Sequence, residues 1–111
     1  MKNSIKPPVW LRPETKKWFS SVLDDFELDA SGIKLLTLAS EAWDRATQAR
    51  ESIAEHGLFF TDRMGNPRKH PAVSVEESAR IAFARLLREL DISDTAPDDS
   101  RPPGLKSNRG Y

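Results

Sequence analysis

One run of residues constrains the fold of this chain more than any other. Leu35, Ala39, Ala42, Ala46, Ala49 and Ile53 recur at alternating steps of four and three. That is the seven-residue repeat of a helix presenting a narrow apolar seam to a partner. The seam is mostly alanine, so a second helix can approach its backbone closely. Leu36 and Trp43 widen the stripe on one side and are expected in the core, and Glu41 and Arg45 have the i,i+4 spacing of an ion pair on the polar face. Asp29 is the preferred N-cap, because it leaves Gly32 in the first turn, and Gly57 after His56 is the stop signal. The spacing therefore predicts a helix over residues 30–56.

Such a seam needs partners, and the flanking sequence supplies two. Trp18, Phe19, Val22, Leu23 and Phe26 recur at helical spacing behind Pro13, which suits a first helical position. They predict a helix over residues 13–27. Val75, Ala79, Ala82, Phe83, Leu86, Leu87 and Leu90 form one apolar face over residues 72–91, flanked by the Glu76–Arg80 pair, with Arg85 and Arg88 in the final turns. Between the second and third helices, Leu58-Phe59-Phe60-Thr61 is a short strand signal and Asp62 to Pro67 a turn, while Pro67 and Pro71 forbid a long return strand. Residues 58–71 thus read as a small β-hairpin or extended connector. Residues 1–12, with Pro7 and Pro8 and no periodicity, read as an arm, residues 13–92 as one helical domain, and residues 93–111 as a disordered tail. The expected fold class is mainly α: a hairpin of two long antiparallel helices, an N-terminal helix, the short connector and the tail.

Composition narrows the function. A chain of 111 residues is one domain, and 38% hydrophobic content lets three helices bury only a modest core, a shortfall that small domains often make up by oligomerising. The absence of cysteine excludes disulfides, thiolate metal sites and thiol nucleophiles. No apolar run is long enough to span a bilayer and the N-terminus lacks a secretory h-region, so the expected location is the cytoplasm. Seventeen basic residues balance seventeen acidic ones, but in blocks. Residues 1–20 are basic, residues 21–30 hold Asp24, Asp25, Glu27 and Asp29 without a base, the stretch around Arg63, Arg68 and Lys69 is basic, and the tail returns to basic with Arg101, Lys106 and Arg109.

No catalytic pattern emerges. No glycine spacing matches a phosphate-binding loop, and His56 and His70 lack partners at metal-ligand spacing; the first reads as a helix-end charge, the second as a residue positioning a helix entrance. The four acids at 24–29 line one helix end and turn, whereas two-metal chemistry needs carboxylates converging from separate elements. An enzyme, a metal site and a cofactor are therefore not expected. A Lys/Arg-bearing turn at 63–69 is more often a solvated loop than a phosphate contact, and the junction between the first two helices is too acidic to seat a recognition helix on DNA. Trp10 and Trp18 are expected in the core or at an interface.

Four stretches in combination point further: Leu36-Thr-Leu-Ala-Ser-Glu-Ala-Trp-Asp-Arg-Ala46, Gly57-Leu58, Asp62-Arg-Met-Gly-Asn-Pro-Arg-Lys-His-Pro-Ala-Val73 and Arg80-Ile-Ala-Phe-Ala-Arg-Leu-Leu-Arg-Glu-Leu90. This pattern resembles the small terminase subunits of tailed phages and prophages in the P27-like group, over roughly residues 12–92, and residues 102–110 are similar to tails seen there. The resemblance implies a non-enzymatic subunit that forms a homo-oligomeric ring, recognises viral double-stranded DNA, and recruits or regulates the large subunit, which holds the ATPase and nuclease. It also implies a location in the cytoplasm of the bacterial host. Two other readings stay open: a structural adaptor of the phage head and a small DNA-binding transcriptional regulator.

Within the packaging reading, candidate DNA-binding residues are Arg63, Arg68 and Lys69, with Lys16 and Lys17 as further bases. Candidate large-subunit contacts are Arg101, Leu105, Lys106 and Arg109. For the oligomer interface the candidates are Ile81, Ala84 and Trp18. Ile81 enters because a rotation of about 100° per residue from Ala79 puts it on the helix side opposite the buried face, among charged residues of both signs.

Overall fold

The structure, a computed structural model, describes residues 5–91. Three helices and one hairpin follow in the order α1 (Pro13–Asp25), α2 (Ala30–His56), β1 (Phe59–Thr61), β2 (Pro67–Lys69) and α3 (Pro71–Leu90). The mainly helical fold with a short β-hairpin connector agrees with the sequence reading. The arm's first four residues and the tail from residue 92 lie outside the described residues, so the tail expectation does too.

The 27-residue α2, about 40 Å long at 1.5 Å per residue, is the axis of the molecule. Its first turn is closed by Asp29, whose Oδ1 accepts from the Gly32 N–H at 2.8 Å. Gly32 is required by packing: a Cβ there would stand 3.0 Å from the Leu28 Cβ. At the other end Gly57, at φ 85°, donates its N–H to the Ile53 carbonyl at 2.7 Å. That left-handed backbone favours glycine and turns the chain into the hairpin.

α3 lies antiparallel along α2. Arg50 pairs with Glu76 at 3.3 Å and Trp43 with Phe83 at 5.0 Å between ring centroids, so contacts climb one helix as they descend the other. The seam sits in this interface: Ala39, Ala42, Ala46 and Ala49 are all buried, as is Ala79 of α3. Methyl groups bury little area, so close backbone approach, rather than transfer energy, is what these alanines provide. The larger side chains gather at one end, where Leu11, Phe19, Val22 and Leu23 pack on Leu36 and Leu90. Each such side chain contributes about 1.5–3 kcal/mol by burial.

The segment before α1 and the first turn of α1 are tied to α2 by five hydrogen bonds. The Trp10 indole N–H donates to Glu41 Oε2 at 3.0 Å, and the Arg12 N–H and the Thr15 hydroxyl donate to the two oxygens of Asp44 at 2.9 and 2.5 Å. The Arg12 guanidinium clasps Glu51 through two hydrogen bonds of 2.7 and 2.9 Å. That hydrogen bonding raises the Arg12 pKa and holds the Glu51 carboxyl below its ordinary value. Leu11 itself belongs to the core.

Several details depart from the pattern. α1 ends at Asp25, two residues early, because Phe26 turns extended (φ −132°) while its N–H still closes on the Val22 carbonyl. α3 starts one residue early, at Pro71. Glu41 accepts from Trp10 instead of pairing with Arg45. Trp43, expected in the core, is 43% exposed, and Val75 is exposed as well. Both sit at the edges of the two-helix interface, and α1 reaches Trp43 only far enough to wall one side of a groove beside it.

Candidate functional site

The hairpin stands out from the helices. Its register pairs Phe59 with Lys69, Phe60 with Arg68 and Thr61 with Pro67, and every strand residue is exposed. A two-stranded ribbon this short is marginal alone, and two devices hold it. At the tip, the Asp62 carboxylate accepts from the Met64 and Asn66 N–H groups, each at 2.9 Å, and from Arg68 Nε at 2.7 Å. The Arg68 hydrogen bond, followed by the Asn66 N–H, keeps Asp62 below the ordinary aspartate pKa. Gly65 takes the left-handed conformation, φ 84°, that closes the turn. At the base, the His70 N–H donates to the Leu58 carbonyl at 2.7 Å, while His70 Nδ1 accepts from the Ala72 N–H at 3.0 Å and so caps α3. The His70 ring stacks on His56, 5.6 Å away and 13° from parallel, with Phe60 edge-on at 6.4 Å.

Cross-strand partners share a face, and neighbours along a strand alternate. Phe60 and Arg68 therefore share the face turned towards His70. Phe59, 63% exposed, and Lys69 share the outward face, and Met64 at the tip is 82% exposed. The three basic candidates of the hairpin thus separate. Arg68 is engaged by Asp62, whereas Arg63 and Lys69 are exposed and make no ion pair among the described residues. Lys16 and Lys17 lie on α1, the first half-buried and the second exposed, on an element apart from the hairpin.

Of the assembly candidates, Ile81 is 42% exposed and Ala84 is exposed, both on the side of α3 away from the buried Ala79. Trp18 is elsewhere. It is half-buried and packs on Phe83 with ring centroids 5.8 Å apart. Trp18, Phe83 and Trp43, with Glu14 and Thr15, line an apolar groove of about 310 Å³ where α1 begins. The Arg50 guanidinium lies 5.6 Å from the Trp43 ring centroid. Sequence reasoning missed this groove because helical spacing assigned Trp43 to the core. Its available signal was the presence of large aromatics on all three helices.

Arg101, Leu105, Lys106 and Arg109 lie outside the described residues. Among the described residues no group of three or more His, Asp or Glu side chains is placed to hold a metal ion, and no helix is long and apolar enough to cross a membrane. A family model described as phage terminase, small subunit, matches residues 20–102, a span that includes α2, the hairpin and α3. Searches of curated proteins and of solved structures find no match.

Proposed function

The chain belongs to the phage terminase small-subunit family, and from that premise we propose that it is the non-catalytic, DNA-recognising partner of a packaging motor. In this reading it falls in the P27-like group and works in the cytoplasm of the bacterial host. It assembles into a homo-oligomeric ring, binds viral double-stranded DNA, and recruits or regulates the large subunit, which supplies ATPase and nuclease activity.

The observation that supports it most is the hairpin. It presents Arg63 in its turn and Lys69 on its second strand, both exposed and without an ion pair among the described residues, on a ribbon braced at both ends. Fixed cations on a braced element contact phosphates with little ordering cost. Lys16 and Lys17 of α1 are the second set of DNA-facing bases. Arg68 serves mainly to hold the turn through Asp62. Ile81 and Ala84 are assigned to subunit contact, and Arg101, Leu105, Lys106 and Arg109 to the large subunit.

The test is the salt dependence of binding to double-stranded DNA. Each phosphate that is no longer neutralised lowers the log–log slope by about 0.9. Arg63→Ala with Lys69→Ala should therefore flatten the slope by up to about 1.8 and weaken binding on all DNA sequences alike. An unchanged slope would move the contact to Lys16 and Lys17, and no DNA binding by the parent chain at low salt would remove the DNA role.

A further inference from the structure

The groove between Trp18, Phe83 and Trp43 is an apolar feature that the packaging role leaves without a use. Phe83 sits between the two indoles, 5.8 Å from one and 5.0 Å from the other, with tilts of 54° and 52°. The three rings thus offer differently inclined faces to one space, which Glu14 and Thr15 also line. The groove is at the small end of the size range of ligand sites, with room for about two or three side chains.

We propose that this groove holds a proline-containing segment of the same chain, residues 101–106, with the sequence Arg-Pro-Pro-Gly-Leu-Lys. Aromatic-lined grooves select proline-rich segments because the rings of proline stack on indole faces and the extended proline helix is preformed, so little entropy is lost on docking. Pro102 and Pro103 are the only adjacent prolines after α3; the other such pair, Pro7 and Pro8, precedes α1. Charge supports one contact: Glu14 lines the groove and can meet one of Arg101 and Lys106, while the Arg50 guanidinium already lies 5.6 Å from the Trp43 ring centroid.

Reach agrees as well. The described chain ends at Asp91, which caps α3. Phe83 lies seven residues before Leu90, about 10 Å back along the helix. The ten residues 92–101 span up to about 33 Å when extended, so Pro102 returns to the groove without strain. A tether of this length supplies an effective concentration of order 1 mM. An intrinsic dissociation constant of about 1 mM is then enough to keep the groove half filled. Arg101, Leu105 and Lys106 of this segment are also the residues assigned above to the large subunit, so the groove and the large subunit would compete for it, but the placement itself does not rest on the packaging role.

The test uses the full chain grown with 5-fluorotryptophan, whose three ¹⁹F signals report Trp10, Trp18 and Trp43 and are assigned by single Trp→Phe variants. Because the chain has no cysteine, Ser107→Cys gives one position for a nitroxide label. The expected result is loss of the Trp18 and Trp43 signals with the label oxidised and their return when ascorbate reduces it. Trp10, bonded to Glu41 outside the groove, should keep more of its intensity. In the same labelled chain, Pro102→Ala with Pro103→Ala and Leu105→Ala should restore both groove signals. Three outcomes would overturn the placement: equal loss at all three tryptophans, no loss at Trp18 and Trp43, or loss that the triple substitution leaves unchanged. Loss seen only when labelled chains are mixed with fluorinated ones would also overturn it, by giving the groove to a neighbouring copy.

Discussion

At the scale of single residues, two side chains set the terms of local stability. Ser40 of α2 is fully buried and its hydroxyl has no hydrogen-bond partner among the described residues. Desolvating an unpaired polar atom costs about 1–3 kcal/mol, so Ser40→Ala should raise stability by roughly 1 kcal/mol in thermal or urea melts. A loss of stability would show that the hydroxyl is satisfied in solution. Asp62 is the counterpart, a carboxylate whose every hydrogen bond favours the charged form. Its folded pKa is lowered, so its contribution is present above the ordinary aspartate range and fades as pH falls through the lowered value. The amide signals of Met64 and Asn66 should therefore titrate together, with a midpoint below about 3.9. A midpoint at or above that value would mean the turn is not organised by Asp62.

At the scale of elements, the alanine seam is the feature that sequence exposes best and mutation tests most directly. Ala46 is buried against α3's side of α2, so Ala46→Leu should overpack the interface and lower stability by about 1–3 kcal/mol. Circular dichroism melts indistinguishable from the parent would place the seam in solvent. This seam was legible because period, caps and stop signals all agreed: Asp29 and Gly57 are where the chain needs a side-chain acceptor and a positive φ. Trp43 was not legible, and the reason is geometric. α1 has 13 residues and is about 20 Å long, half the length of α2, so it cannot cover the whole flank that helical spacing marks as apolar. Arg68 shows the same limit on a smaller scale. Its type suggested a phosphate contact, yet a carboxylate six positions earlier in a folded-back turn already engages it.

At the scale of the whole molecule, the question is what a domain with this much exposed apolar surface does with it. Trp10, Leu38, Trp43, Phe59, Met64 and Ile81 are all exposed on one small chain. Among these, Ile81 is the proposed subunit contact, because it stands on the outer side of α3 with Ala84 and the charged Glu77, Arg85 and Arg88 around it in the helix. Ring contacts are head-to-tail, so Ile81 would meet a different surface on the next copy. Ile81→Asp should leave helical content unchanged and shift sedimentation from the oligomer towards the monomer. A variant that sediments as the parent oligomer would transfer the contact to Trp10 or to the outer face of α1. His70 adds a mechanical consequence to any such assembly. One residue latches the base of the ribbon through its backbone and starts α3 through its ring. The ribbon is therefore a lever with its fulcrum at the helix entrance. A load on the tip bears on the first turn of α3 without a slack loop to absorb it, and the two elements cannot be re-aimed separately.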